Sequence, residues 1–201
     1  GDSITLGPGI APDQAYPAQL QGLLRARPGY ENVTVINAGV GGNTVLAGLA
    51  RLDRDVLAHH PRCVLIGFGM NDSVMVEANR CRVPVEQFAI HLREMVQRVR
   101  QAGAQVLLAT LTPVVEEYYY ERHPREWYPE GLGPVLARYS EAIRAVARDT
   151  GCRVVDLGGL EPATDIRLPA NTGLRDGVHP TAQGYGVIAA AYARALTTPP
   201  Q

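Results

Sequence analysis

No lysine occurs anywhere in the 201 residues; all 19 basic side chains are arginine. A Schiff-base lysine, the phosphate-gripping lysine of a Walker loop and a Ser–Lys catalytic pair are therefore excluded within this chain. Cysteine is scarce. Cys63, Cys81 and Cys152 are odd in number and widely spaced, which suits neither a disulfide framework nor a zinc ribbon. They read as thiols in a reducing compartment, with Cys63 a small hydrophobe at the head of an apolar run. Neither sign of charge is in excess. A net charge of −1 makes no electrostatic case for nucleic acid or an anionic membrane as partner. No apolar run approaches the roughly 18–20 residues that span a bilayer, so no integral membrane segment is expected. No secretory leader is visible, although the chain opens abruptly. The expectation is a cytoplasmic protein, with export open if a leader was removed.

What is present suits one globular domain, residues 1–201, with a sizeable core. Strand-like and helix-like patterns alternate. Residues 33–36 (Val-Thr-Val-Ile) are β-branched, and 63–68 and 106–111 are continuous apolar runs, as in strands covered on both faces; 153–157 is a weaker fourth. Between them lie helical repeats. Val85, Phe88, Leu92, Met95, Val96 and Val99 recur at three and four residues between Pro84 and Gly103. Val135, Leu136, Tyr139, Ile143 and Val146 do so between Pro134 and Gly151. Leu20 and Leu24, Leu46 to Val56, and Tyr185 to Leu196 mark three more. Strands spaced by helices predict a three-layer α/β/α fold: a parallel sheet of about five strands with helices on both faces. In such a sheet a strand would deliver Ser3, so an apolar strand is expected ahead of Gly1.

Ligands bind such sheets beyond the carboxyl ends of the strands, and the chemistry-bearing residues fall there. Ser3 sits in a small-residue turn, Gly1-Asp2-Ser3-Ile4-Thr5. It reads either as a helix N-cap or as a nucleophile exposed on a sharp turn. Asp2 reads as an acid at a helix N-terminus. His179 follows Asp176 by three residues across Gly177. A carboxylate on one ring nitrogen fixes the tautomer and leaves the other to accept a proton; the rival is metal binding by the same pair. His59, His60, His91 and His123 read as structural or solvated. Gly39 and Asn71, after the runs 33–36 and 63–68, read as turn residues or as amide donors to an oxyanion. The Gly39–Gly42 run also invites a phosphate-loop reading, but the lysine and the dinucleotide spacing are missing. Asp72 reads as a loop-positioning group, and Asn43 and Thr44 as caps for the helix that follows.

These blocks together resemble the SGNH hydrolases, also called the GDSL esterase/lipase family. Gly1-Asp2-Ser3 matches the nucleophile block, Gly39 the glycine block, Gly69-Met70-Asn71-Asp72 the Gly-x-Asn-Asp block and Asp176-Gly177-Val178-His179 the Asp-x-x-His block, in order and across almost the whole chain. The resemblance implies a flavodoxin-like fold and metal-independent hydrolysis of carboxylic esters without a cofactor. It implies Ser3 as nucleophile, His179 as base and Asp176 as its partner. Ser3, Gly39 and Asn71 would form the oxyanion hole. The family acts on short-chain and aryl esters, acetylated sugars, lysophospholipids and acyl thioesters.

Residues 113–132 interrupt the pattern with Tyr118, Tyr119, Tyr120, Trp127 and Tyr128 among mixed charges. They read as a surface excursion stabilised by its own aromatics, or as a wall near the site suited to a polar or sugar-bearing substrate. Val74, Met75 and Val76 read as lining for a small acyl pocket. The expected substrate contacts are Asp2, Asp72, Val74, Tyr118, Trp127 and Val178, around a small ester with a short acyl group, such as acetyl on a sugar. Two other classes remain open here: a non-catalytic carbohydrate-binding relative of the same fold and a nucleotide-binding flavodoxin-like domain.

Overall fold

The structure is a computed structural model and describes residues 1–160, 174 and 176–198. The chain opens on a single helical turn, α1 (Ser3–Leu6), followed by α2 (Tyr16–Arg25), α3 (Val45–Ala50) and α4 (Leu52–Asp55). Strand β1 (Cys63–Ile66) then enters the sheet. A hairpin of β2 (Met75–Glu77) and β3 (Arg80–Cys81) follows, then α5 (Val85–Gln101), β4 (Gln105–Ala109), α6 (Glu116–Tyr120), α7 (Leu132–Thr150), β5 (Arg153–Val155) and α8 (Ala182–Thr197). β1, β4 and β5 pair in parallel in that order, with Val64 beside Val106 and Leu108 beside Val154.

The sheet is clothed on both faces, as the apolar runs predict. Phe88, Leu92, Val96 and Val99 of α5 pack with Leu132, Tyr139, Ile143 and Val146 of α7 over Ile66 and Leu108. On the other face Leu20 and Leu24 of α2 meet Tyr185, Ile188 and Tyr192 of α8 over Leu107 and Val155. The fold is the expected α/β/α arrangement around a smaller sheet. Helix ends follow local chemistry: Gly103 and Gly151 take the left-handed conformation just past α5 and α7. Thr44 caps α3 through its hydroxyl, and Thr181 caps α8 by accepting from Gly184 N–H.

Residues 33–36 correct the strand expected there. They form no ladder among the described residues. Val35 N–H donates instead to the Gln21 side chain, and Val33 and Val35 pack on the α2–α8 cluster beside Cys63 and Leu65. A β-branched run becomes a strand only where a neighbour takes its backbone groups. The described sheet therefore has three strands, not five. The strand expected ahead of Gly1 falls outside the 201 residues. The β2–β3 hairpin was not anticipated: it carries Met75 into the core and leaves Val76 exposed.

Candidate active site

Asp2, not Ser3, caps the first helix. Asp2 Oδ1 accepts the Ile4 N–H at 2.9 Å, which leaves Ser3 as the first helical residue with a hydroxyl that capping does not use. Among the described residues no acceptor takes the Ser3 N–H, as expected of a first-turn amide. Asp2 is buried. Burial pushes its carboxyl above the usual range, against the Ile4 N–H and the nearby His179 ring, which both favour the charged form.

His179 is held by its aspartate. Nδ1 lies 2.6 Å from Asp176 Oδ2, while Oδ1 accepts the backbone N–H groups of Val178 and His179, each at 3.0 Å. Burial opposes charge on Asp176, but the His179 ring and the two backbone donors outweigh it and hold the carboxyl well below the usual range. Gly177 permits the turn. Its φ is +74°, and a Cβ there would stand 2.3 Å from the Val115 carbonyl oxygen. His179 Nε2 is buried and has no hydrogen-bond partner among the described residues, so it is not bonded to the Ser3 hydroxyl. Among the described residues no group of three His, Cys, Asp or Glu side chains gathers as metal ligands.

Gly39 packs directly on the Ser3 helix: a Cβ would lie 2.4 Å from Leu6 N and 2.9 Å from the Asp2 carbonyl oxygen. Its N–H donates to Asn37 Oδ1 at 2.9 Å. Asn71 Nδ2 donates to the Asn43 carbonyl at 3.2 Å and to Asp2 Oδ2 at 3.3 Å. The fold thus brings the Ser3 turn, the glycine loop and the Asn71 loop to one place, with the Gly39 and Asn71 amides resting on internal acceptors.

Asp72 is fully buried, its oxygens accepting Val45 N–H at 2.9 Å and Gly69 N–H at 3.1 Å. Burial pushes its carboxyl up to about 6 despite those donors. It anchors the loop and faces no approaching ligand. Asp2 is likewise turned inward. Val74, Tyr118, Trp127 and Val178 are half-buried, and Trp127 and Val178 pack against the α5–α7 core.

The aromatic excursion does two things at once. Tyr119 stacks on His123 with ring centroids 4.1 Å apart, and its hydroxyl meets that of Tyr128 at 2.7 Å. The Tyr128 hydroxyl also accepts Met75 N–H, which ties the excursion to the hairpin after the Asn71 loop. Val115 N–H donates to the Gly177 carbonyl at 2.8 Å, and Arg122 bonds the Leu174 carbonyl and stands 3.7 Å from Asp176. The segment buttresses the histidine loop.

Sequence reasoning missed Arg51. Its Nη2 donates to the Gly1 carbonyl at 2.8 Å, Nη1 to the Ala38 carbonyl at 2.8 Å and Nε to Asn43 Oδ1 at 2.7 Å. A single arginine between two short helices carries no motif, so no local signal could have found it.

Helices cover both faces of a parallel sheet, and the Ser3 turn and the Asp176–His179 pair lie outside its strands. The chain belongs to the GDSL-like lipase/acylhydrolase family, whose profile matches residues 1–187, and is a carboxylic ester hydrolase. It is 33% identical over 183 residues to the esterase TesA of Pseudomonas aeruginosa, covering 90% of this chain and 84% of that one. It is 31% identical over 129 residues to the lipoprotein YqeF of Bacillus subtilis, covering 61% of this chain and about half, 52%, of that protein. Among solved structures, the acetyl xylan esterase AlAXEase superposes with a TM-score of 0.76 at 26% identity, covering 98% of this chain and 96% of that one. Among the described residues no helix is long and apolar enough to cross a membrane.

Proposed function

We propose that the protein cleaves esters with short acyl groups through an acyl-enzyme formed on Ser3. The reading is carried by the Asp176–His179 pair, whose outer nitrogen has no hydrogen-bond partner among the described residues. Ser3 Oγ adds to the ester carbonyl carbon and passes its proton to His179 Nε2. The oxyanion takes the Ser3 N–H, the Gly39 N–H and an Asn71 Nδ2 hydrogen, displacing the internal acceptors that the Gly39 and Asn71 amides hold at rest. As the intermediate collapses, the C–O bond to the alcohol breaks and His179 returns the proton to the leaving oxygen. Water then repeats the sequence on the acyl-enzyme, releasing acid and free Ser3. Asp176 stabilises the imidazolium in both halves. Apo sites of this kind often have loose catalytic bonds, which tighten when substrate arrives.

The proposed substrate is an acetyl ester, on a sugar. The likeness to an acetyl xylan esterase supports this, as do the half-buried tyrosine and tryptophan of residues 113–132. A chain-length series of nitrophenyl esters run beside acetylated xylose tests it. Rates should be highest for acetate and remain high on the sugar. A maximum at long chains, or on thioesters, would replace this substrate with a lipase-like or thioesterase one. Ser3→Ala should abolish turnover and fluorophosphonate labelling; undiminished turnover would sink the mechanism.

A further inference from the structure

Three separate stretches of chain converge on one guanidinium. Arg51 lies at the junction of α3 and α4, and its side chain is only 11% exposed. Its nitrogens reach the Gly1 carbonyl, two residues before Ser3, the Ala38 carbonyl, and the Asn43 side chain. The Asn43 backbone carbonyl in turn receives Asn71 Nδ2. Asp55 supplies the counter-charge at 3.3 Å, so the cation is paired.

The Ala38 carbonyl and the Gly39 N–H are the two ends of one peptide group. We infer that Arg51 is a positioning residue for the oxyanion site: it holds the Ala38–Gly39 peptide plane so that the Gly39 N–H stays in register with the Ser3 turn and Asn71. This rests on the reading of Gly39 as an oxyanion donor. Two physical effects act together. The planar fork bonds several acceptors in fixed directions, which a lysine ammonium does not do. A cation on a peptide oxygen also polarises the group, making the N–H at its other end a stronger donor. Gly39 cannot carry a side chain to position itself, because a Cβ would strike the α1 backbone. Its peptide plane is held from the carbonyl side by Arg51 and, at rest, from the N–H side by Asn37 Oδ1.

Steady-state kinetics on nitrophenyl acetate test the assignment. Arg51→Ala should lower kcat by about 10²–10³, the cost of losing an oxyanion donor, while KM changes little. Added methylguanidinium should restore part of kcat. Arg51→Lys keeps the charge but not the fork and should stay well below the parent enzyme. In isotope-labelled protein the Gly39 amide resonance should move in Arg51→Lys more than amides elsewhere in the core. A merely structural arginine would lower thermal stability and leave kcat per folded molecule intact. That result, with Ser3→Ala inactive, overturns the inference and leaves the serine-esterase reading standing. Should Arg51→Ala fail to fold, Arg51→Lys decides: parental kcat with an unmoved Gly39 amide overturns it. Turnover that does not depend on Ser3 in the parent enzyme would overturn both readings.

Discussion

His179 Nδ1 stands 2.6 Å from Asp176 Oδ2, while its Nε2 is closed from solvent and has no partner among the described residues. A buried polar nitrogen left unsatisfied costs on the order of 1–3 kcal/mol, and folds keep few of them. The Asp176 bond directs the imidazole proton to one side and leaves the other nitrogen able to accept a proton. The same loop is pinned by the Val115 N–H to Gly177 carbonyl bond, so the ring's aim is inherited from the aromatic excursion as well as from its aspartate.

Asp176→Asn should lower kcat by about 10³–10⁴, because an amide can no longer enforce the tautomer. Its effect on stability has a defined sign. The folded-state carboxyl is depressed, so its contribution is present above the unfolded value of about 4 and is lost as pH falls below it. Urea unfolding of the variant should show a shallower loss of stability on acidification than the parent. Parallel acid limbs would count against this bonding scheme.

Ser3→Ala and Asp2→Ala should separate chemistry from folding. Ser3 does not cap α1, so its removal should eliminate turnover and change stability by less than about 0.5 kcal/mol. Asp2 is the cap and accepts from Asn71, so its removal should cost about 1–2 kcal/mol. Chemical denaturation of both variants reads the difference. A destabilised Ser3→Ala variant would mean that the hydroxyl has a structural bond.

Gly39→Ala should damage both properties. The added methyl meets the Leu6 and Asp2 backbone at 2.4 and 2.9 Å, and backbone cannot rotate out of the way as a side chain can. Overpacking of this kind costs about 1–3 kcal/mol. The melting temperature and kcat should fall together; a variant with parental values of both would place Gly39 elsewhere.

Asp72 should make the protein less stable as pH rises from about 4 to 6. Its folded-state carboxyl is pushed up to about 6, so the folded state keeps a proton that the unfolded chain releases near pH 4. The loss across that window is on the order of 3 kcal/mol. Asp72→Asn should remove this slope, while costing about 1–3 kcal/mol at low pH because the amide can accept from only one of the Val45 and Gly69 N–H groups. Denaturant midpoints at pH 4.5 and 7 for the two proteins check it.

Much of this molecule can be read along the chain, because the signals are local. The three- and four-residue spacing in α5 and α7, the apolar runs of β1 and β4, the cap at Thr44 and the glycines past α5 and α7 each act within a few residues. Ser3, Gly39, Asn71, Asp176 and His179 stand out as candidates for the same reason: each lies in a short turn with a characteristic composition. Other features depend on partners far away. Residues 33–36 have strand composition, but a ladder needs a neighbour, and none of the described segments supplies it. Arg51 reaches across 50 residues to Gly1 and 13 to Ala38, contacts that no window of sequence contains.

The order of residues alone determined which chemical groups this protein owns and where its long helices and the apolar strands β1 and β4 form, since propensity, capping and periodicity are set by near neighbours. Tertiary structure decided where those groups point. It gave the cap of α1 to Asp2 and so released the Ser3 hydroxyl, closed Asp72 into the backbone, and gathered three loops on Arg51. Burial and hydrogen-bond satisfaction are properties of the packed chain, and only packing can assign them.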